Sequence, residues 1–427
     1  MIFIPLCFVG GLLFVYQVIN KFKVGVVSYL IFIYLSSLIC SVILYLLFDY
    51  SEKYILELEP FVYFTVGLCI LLLGFFRYRD YRVRFIVLNN IKAIKFLEWA
   101  IVPFTCGAIV FFLIRALTVL SGDIEANRNA VVSGGVSYLS DAGIINSLFS
   151  LVSNLFLLNM LYAFLNLTES YPGASVRKSL IHLILSTVYI FYIMAYVGRD
   201  GVVFWGMSLC FFYFMFRDFL TKRKQKFLKR SALFISIPAF SIFTVISIQR
   251  FGGEAGNLFL ALLDYAGQQV LNFNNHYLVN APAAGGAISF APLVSMSSYL
   301  FDPEAVPFNK EMWNQIFLDK GVAPWVFTTL IGSFMYDFGR IGGMAVLVFL
   351  SCTVSFVLRD VKKNGAIKFS DFILFVLLFQ ISSWGVFYYR QYSAFFYIVS
   401  LLILVVFYKF SGGTGQVVLR KLGGTNE

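Results

Sequence analysis

Six arginines lie within or next to apolar stretches of this chain, and their chemistry suits an anionic ligand. They are Arg115, Arg128, Arg199, Arg250, Arg340 and Arg390. A guanidinium group offers planar, bidentate donors that match phosphate and carboxylate oxygens. A charge at membrane depth is costly and marks a functional candidate. Several of these arginines together would hold a diphosphate, with Arg199 and Arg250 as first candidates and Arg128, Arg340 and Arg390 as secondary ones.

The alternative for these arginines is simple ion pairing with a neighbouring acid. Each pair would then stabilise the fold and bind no ligand. The available pairs are Arg199 with Asp200, Arg250 with Glu254, and Arg340 with Asp337.

His276 and Asp337 are the candidates for a group that accepts a proton from a reacting hydroxyl. Glu254 and Asp264 are secondary candidates for the same role. A histidine titrates near neutral pH by default, which suits this role. The alternatives are that His276 is an exposed or interfacial loop residue and that Asp337 pairs with Arg340 or caps a helix.

Apolar residues recur at helical spacing over 257–273, and this spacing predicts an amphipathic helix on the membrane surface. Tyr265, Gln268, Asn272 and Asn274 lie on or just after this helix. Amides and aromatic faces suit contacts with sugars, so these four residues are candidate glycan-binding residues. Asn272 and Asn274 could instead simply end the helix.

Nothing in the sequence requires a metal or another cofactor. With two histidines in 427 residues, a histidine-based metal cluster is impossible within one chain. The acid-x-acid pairs Glu57-Leu58-Glu59 and Asp302-Pro303-Glu304 have a spacing that some enzymes use for a divalent cation, but such pairs are common by chance. A GxxxxGK[ST] phosphate loop is absent from the sequence, so no nucleotide site is indicated.

The elements that must position these residues are membrane helices. Hydrophobic residues make up 60% of the chain, charged residues make up 13%, and the mean hydropathy is +0.83. These values exclude a soluble enzyme, a disordered chain and a fibrous rod. The net charge of +11 is therefore interpreted through the positive-inside rule and not as a sign of nucleic-acid binding.

Eleven apolar stretches are long enough to predict a transmembrane helix, which makes the expected fold an all-α polytopic bundle. They span 1–19, 24–48, 60–76, 96–117, 144–167, 179–197, 202–219, 231–248, 339–358, 370–389 and 393–408. The chain divides accordingly into 1–248 with spans 1 to 8, a large loop over 249–338, and 339–427 with spans 9 to 11 and a tail.

Charge separates the loops into two sets that alternate along the chain. One set, with its flanking residues, holds 24 of the 33 lysines and arginines, and the other is acidic or mixed. The basic set is predicted to be cytoplasmic, which places the N-terminus and the 249–338 loop outside. The arginines considered above then all belong to the outer side.

Three segments of the chain resemble the O-antigen polymerase family. The first is Thr328-Thr329-Leu330-Ile331-Gly332-Ser333-Phe334-Met335-Tyr336-Asp337-Phe338-Gly339-Arg340-Ile341-Gly342. The second is Tyr265-Ala266-Gly267-Gln268-Gln269 with Asn272-Phe273-Asn274-Asn275, and the third is Gly198-Arg199-Asp200-Gly201. The many spans and the large, late external loop are similar to that family as well.

The resemblance implies a glycosyltransferase in the bacterial inner membrane with a GT-C-like helical bundle and a periplasmic active face. Such an enzyme joins oligosaccharide repeat units carried on undecaprenyl diphosphate and releases the lipid diphosphate. The implied partners are that lipid-linked oligosaccharide, membrane lipids, a chain-length regulator and a flippase, with no nucleic acid.

Three other functions remain open from the sequence. An O-antigen ligase would use the same lipid carrier and the same kind of arginines. A polysaccharide flippase or other transporter would need ionisable residues in mid-membrane, whereas the centres of these spans are nearly free of charge. A scaffold without catalysis would leave the external arginines unexplained.

Overall fold

The computed structural model describes residues 1–48, 50–122, 127, 143–251, 255–279, 283–290, 293, 310–321, 326–389, 391–410 and 415–422. The chain is mostly helical, at 76%. It is a multi-pass membrane protein by the length and apolar character of its helices.

The helices of the described residues are as follows in chain order. The first half contains α1 Phe3–Ile19, α2 Val26–Leu47, α3 Tyr50–Lys53, α4 Leu58–Phe75, α5 Ile91–Ser121, α6 Gly143–Asn154, α7 Phe156–Leu165, α8 Val176–Leu185, α9 Val188–Ala195, α10 Asp200–Phe216 and α11 Lys222–Phe251. The second half contains α12 Ala255–Leu278, α13 Lys310–Asp319, α14 Thr329–Val357, α15 Arg359–Asn364, α16 Phe369–Trp384 and α17 Gln391–Phe410.

A helix or a pair of helices covers each of the eleven predicted spans. Among the described residues, six helices are long and apolar enough to cross a membrane, with α8 and α9 counted together as the one helix Val176–Ala195. The number rises to seven if the pair α6 and α7, bent by 42°, counts as one span. An apolar helical protein is thus confirmed, whereas the count of eleven crossings and the GT-C-like bundle stay predictions.

A three-stranded sheet departs from the predicted all-α fold. Its strands are β1 Phe85–Asn89, β2 Ala366–Lys368 and β3 Gln416–Arg420, in the order β2-β1-β3. β1 pairs parallel with β2 and antiparallel with β3. Ile86 and Leu88 are buried and their neighbours are half-buried, as expected for a strand with one covered face. Because the three strands are short and far apart in sequence, local periodicity does not reveal them.

The chain forms two compact units. Unit 1 comprises Met1–Arg82, Leu262–Gly365 and Asp371–Ile403, and unit 2 comprises Val83–Ala261, Ala366–Ser370 and Leu404–Glu427. The division made along the sequence, into 1–248, 249–338 and 339–427, describes segments of the chain and not these units. Most of the predicted site residues belong to unit 1.

Within unit 1, α14 is a helical hairpin and not one straight rod. Gly339 interrupts the helix with φ 76° and ψ 173°, a conformation open only to glycine. A Cβ on Gly343 would lie 3.1 Å from the backbone of Phe334 and Met335, eight or nine residues earlier. In a straight helix that separation would be about 12 Å, so the two arms must fold onto each other.

Contacts with α4 confirm the two arms of α14. A Cβ on Gly67 would lie 3.3 Å from Ile331 on the first arm and 3.1 Å from Leu347 on the second. The second arm coincides with the predicted span 339–358. The first arm falls in the predicted loop 249–338, yet residues 329–335 and 337 are buried.

α12 covers the segment where the sequence predicts a helix, and it runs alongside the 50–59 segment, which follows α2 and includes the first residues of α4. The Tyr50 hydroxyl donates to Asp264 at 2.6 Å near one end of the unit 1 portion of α12, and the Tyr277 hydroxyl donates to Glu59 at 2.7 Å near the other. A Cβ on Gly267 would lie 2.6 Å from the backbone of Cys40 in α2, so the two helices touch there. α12 is therefore packed against α2 as well as against this segment.

Candidate functional site

His276 on α12 and Tyr336 on the first arm of α14 form the centre of the candidate site. Their ring centroids are 6.1 Å apart. His276 is 9% exposed, and the Phe317 ring lies 5.5 Å from the Tyr336 ring. Within the described residues, His276 Nδ1 and the Tyr336 hydroxyl are buried without a hydrogen-bond partner. Buried polar atoms are nearly always paired, so two such atoms on neighbouring rings suit a polar ligand.

Burial also determines the charge of His276. It lowers the pKa of His276 to about 4, because a buried ring is poorly solvated when charged. The imidazole is therefore neutral at pH 7, with a lone pair on one nitrogen. A neutral ring can accept a hydrogen bond from a hydroxyl, although this pKa makes it a weak base.

Asp337 is fully buried and anchors the 283–290 loop. Its Oδ1 accepts from the backbone N–H of Ile288 at 3.1 Å, and its Oδ2 accepts from the N–H of Ser289 at 2.8 Å. Its carbonyl oxygen also accepts from the N–H of Gly286 at 3.0 Å. The sequence offered Asp337 as a proton acceptor, an arginine partner or a helix cap. The geometry instead shows both carboxylate oxygens bound to a loop.

Arg340 lies just after the Gly339 turn of the hairpin. Its Nη1 is 3.3 Å from Glu59 Oε1, its Nη2 donates to the Tyr277 carbonyl at 2.9 Å, and its guanidinium lies 4.0 Å from the centre of the Tyr277 ring. The expected partner for simple ion pairing was Asp337, and the structure supplies Glu59 instead. Both side chains are substantially exposed, so this ion pair contributes little to stability.

The two asparagines predicted to bind glycan tie α12 to the 50–59 segment. Asn272 accepts from the Tyr54 hydroxyl at 2.7 Å and donates to the Phe327 carbonyl at 3.2 Å. Asn274 accepts from the N–H of Glu57 at 3.0 Å and donates to the Ile55 carbonyl at 2.7 Å. These bonds use the amides structurally, and a glycan contact by either residue stays a prediction.

Tyr265 and Gln268 complete the predicted glycan contacts, and they differ in exposure. Tyr265 is 7% exposed and packs against the rings of Phe327 and Phe387. Gln268 is half-buried, and its Oε1 accepts from Asn272 at 3.1 Å. Both lie in unit 1 with His276, on the same helix.

Arg199 belongs to unit 2 and precedes α10. It is 9% exposed, and its guanidinium lies 5.8 Å from the centre of the Phe243 ring. The turn before α10 is tight, since a Cβ on Gly198 would lie 2.6 Å from the Ile193 side chain. The side chain of Arg250 and the whole of Arg128, Arg390 and Glu254 lie outside the described residues, so the convergence of these arginines stays a prediction.

Unit 2 contains a buried polar junction that the sequence did not reveal. Glu98 of α5 accepts from Asn166 at 2.6 Å and from the Tyr171 hydroxyl at 2.8 Å. His182 Nε2 and Lys95 Nζ each lie 3.6 Å from this carboxylate. The junction joins α5 to the end of α7 and to α8. Apart from Lys95, all partners of Glu98 lie far from it in sequence, so residue spacing alone could not reveal the junction.

Tyr336 was also missed as a functional residue, although it lies inside the segment that resembles the polymerase family. Its signal was its position next to Asp337, but nothing in the sequence predicts that it faces His276. Within the described ranges, no group of three or more His, Cys, Asp or Glu side chains is placed to hold a metal ion.

Comparison of the chain with family models, with curated proteins and with solved structures finds no match. The likeness to the O-antigen polymerase family therefore depends on the short segments named above.

Proposed function

We propose that this protein is a membrane-embedded glycosyltransferase that polymerises undecaprenyl-diphosphate-linked oligosaccharide repeat units. The product is O-antigen or a related surface polysaccharide. The proposal places the protein in the bacterial inner membrane with its active site on the periplasmic face. It requires no metal or other cofactor.

One observation carries this proposal: two separate segments that resemble the family pack against each other in unit 1. A Cβ on Gly332 of the first segment would lie 3.1 Å from the Phe273 ring of the second. His276 directly follows the second segment and faces Tyr336 of the first. Segments distant in sequence thus meet around two buried polar atoms that have no hydrogen-bond partner within the described part of the chain.

The proposed reaction forms a glycosidic bond and breaks an anomeric carbon–oxygen bond to phosphate. The hydroxyl of one repeat unit attacks the anomeric carbon of the growing glycan, and undecaprenyl diphosphate leaves with the bonding electron pair. His276 Nδ1 orients the attacking hydroxyl, and the Tyr336 hydroxyl donates to a sugar oxygen. The hydroxyl proton ends on the departing diphosphate, so charge and atoms balance.

Cationic donors at the leaving group would lower the barrier most, because negative charge grows there. Arg340, Arg199, Arg250, Arg128 and Arg390 are the proposed source of these donors. Arg340 is the one whose described side chain lies in the same unit as His276. Its exposed guanidinium would exchange Glu59 for a diphosphate.

Gel analysis of lipopolysaccharide from a deletion strain tests the function. We expect the ladder to collapse to core plus one repeat unit and to return with the wild-type gene. Core alone would indicate a ligase or a flippase, and an unaltered ladder would exclude the protein from this pathway.

Complementation with single variants tests the site. Tyr336→Phe and His276→Gln should each shorten or abolish the ladder at normal protein levels, and Arg199→Ala tests the arginine of unit 2. Tyr45→Phe in α2 is a matched control that removes a hydroxyl elsewhere. A normal ladder from both site variants would refute the assigned roles.

A further inference from the structure

Four aromatic rings meet near the start of α14 and form a cluster that the proposed reaction does not use. These four rings, the aromatic wall, belong to Tyr265, Phe327, Phe387 and Tyr388. Phe327 and Tyr388 are stacked with centroids 5.1 Å apart and planes 7° from parallel. Tyr265 stands on edge against Phe327 at 5.2 Å, and Phe387 lies 5.7 Å from Phe327.

The members of the wall differ in exposure in a way that defines its open side. Tyr265 and Phe387 are 7% and 8% exposed, whereas Phe327 and Tyr388 are half-buried. Phe327 and Tyr388 are therefore the members of the wall with exposed surface, and Phe327 also contacts both buried rings. A rigidly held aromatic face that stays partly open is a common feature of ligand sites.

The backbone that holds the wall is irregular and strained. The N–H groups of Thr329 and Leu330 donate to the carbonyls of Phe387 and Gly385 at 2.8 and 2.6 Å, which joins the start of α14 to the segment after α16. Thr329 has φ 65°, a left-handed conformation that a β-branched residue rarely adopts. Such strained conformations cluster at active sites and ligand sites.

Polar groups next to the wall give it a second kind of contact. The Thr329 hydroxyl is 1% exposed and has no hydrogen-bond partner within the described residues. Asn272 donates to the Phe327 carbonyl and also to Gln268. The wall therefore combines apolar ring faces with amides, which fits a ring that has both C–H faces and hydroxyl groups.

The wall also has a defined relation to the His276–Tyr336 pair. Tyr265, Gln268, Asn272 and His276 follow one another at intervals of three and four residues, so they share one side of α12. The distance along the helix from Tyr265 to His276 is about 16 Å. The wall therefore lies about three helical turns along α12 from the residue proposed to orient the reacting hydroxyl.

We infer that the aromatic wall is a sugar-binding subsite that holds the glycan about 16 Å from the bond being formed. The electron-rich face of Phe327 or Tyr388 would stack on the C–H face of one pyranose ring, and Gln268 would bond to its hydroxyls. This inference rests on the proposed function. Its consequence is that the wall retains the growing chain between additions and so favours longer polymers, without taking part in bond formation.

The test combines a binding measurement with the length distribution of the polymer. The probe is the lipid-free repeat-unit oligosaccharide released from the strain's own polysaccharide. Its binding to the purified full-length protein in detergent is followed by saturation-transfer NMR. We expect Phe327→Leu, which keeps an apolar side chain but loses the ring, and Tyr388→Ala to weaken binding by roughly ten-fold, as expected from loss of about 1.4 kcal/mol.

The variants should also shift the polymer ladder to shorter chains, while the bands of the shortest polymers persist. Tyr388→Phe keeps the ring face and should bind like the wild type, and Phe104→Ala on α5 is a control for loss of an exposed ring. If Phe327→Leu and Tyr388→Ala bind the oligosaccharide like the wild type and give the normal ladder, the subsite is refuted. In a strain whose ladder depends on the gene, that result refutes the subsite and leaves the polymerase function standing. A ladder that does not depend on the gene refutes the proposed function itself.

Discussion

Replacing Asp337 with asparagine separates the proton-acceptor role that the sequence suggested from the loop-anchoring role that the structure shows. The carboxylate accepts two backbone N–H groups of the 283–290 loop, at 3.1 and 2.8 Å. Asparagine keeps one acceptor oxygen and presents an N–H₂ group to the other donor. One charge-assisted bond is therefore lost, and a buried N–H of Ile288 or Ser289 remains unpaired.

The size of this effect follows from the bonds that change. A hydrogen bond to a charged group contributes about 1.5–3 kcal/mol, so Asp337→Asn should reduce the free energy of unfolding by about 2 kcal/mol. Asp337→Ala loses both bonds and should reduce it by about 4 kcal/mol. Asp319→Asn is the matched control, because Asp319 is exposed and accepts from the Gln315 side chain at 2.7 Å. Its effect should stay within about 0.5 kcal/mol.

Two assays on protein purified in detergent measure this prediction. Denaturant unfolding gives the change in free energy, and limited proteolysis reports whether the 283–290 loop becomes accessible. We expect the loop to be cut faster in Asp337→Asn, with polymer lost in proportion to loop opening. An Asp337→Asn protein that is as stable and as resistant to proteolysis as the wild type, yet makes no polymer, would show that Asp337 acts on the substrate and that the anchoring argument is wrong.

Three further predictions concern other parts of the fold. The pKa of His276 is about 4 in the folded protein, below its ordinary value, so protonation of this ring favours unfolding. The free energy of unfolding should be unaffected above about pH 6.5 and should fall by about 3 kcal/mol as the pH drops towards 4. His276→Gln should remove this part of the pH dependence. Glu98→Ala leaves the buried partners of this carboxylate without their acceptor and should reduce the free energy of unfolding, measured with denaturant, by about 3 kcal/mol. An effect no larger than that of the exposed Glu169→Ala would contradict the stabilising role of the buried junction. Gly267→Ala places a methyl group against the α2 backbone and should destabilise by about 1–3 kcal/mol in thermal melts. Gly206→Ala, whose added Cβ would have no described atom within 4 Å, should be neutral or slightly stabilising. Equal melting temperatures for the two glycine variants would refute the close contact between α2 and α12.

The location of the helices could be predicted because it depends on local composition. A run of about 20 apolar residues is helical in a membrane whatever surrounds it, since its backbone groups must be satisfied within the segment. The second arm of α14 follows this rule and coincides with the predicted span 339–358. The first arm of α14 does not follow this rule. Residues 329–338 fold back only through the glycine conformation at Gly339 and through contacts with α4.

For the candidate site too, the sequence determines some features and the tertiary structure determines the others. The sequence by itself determined that His276, Asp337 and the arginines are rare polar residues in an apolar chain, and such residues are functional candidates wherever the fold places them. Only the tertiary structure decided that Asp337 anchors a loop, that Arg340 pairs with Glu59, and that Tyr336 faces His276. Each of these contacts joins groups far apart in sequence, and the distance between such groups depends on how the helices pack and not on any periodicity within them.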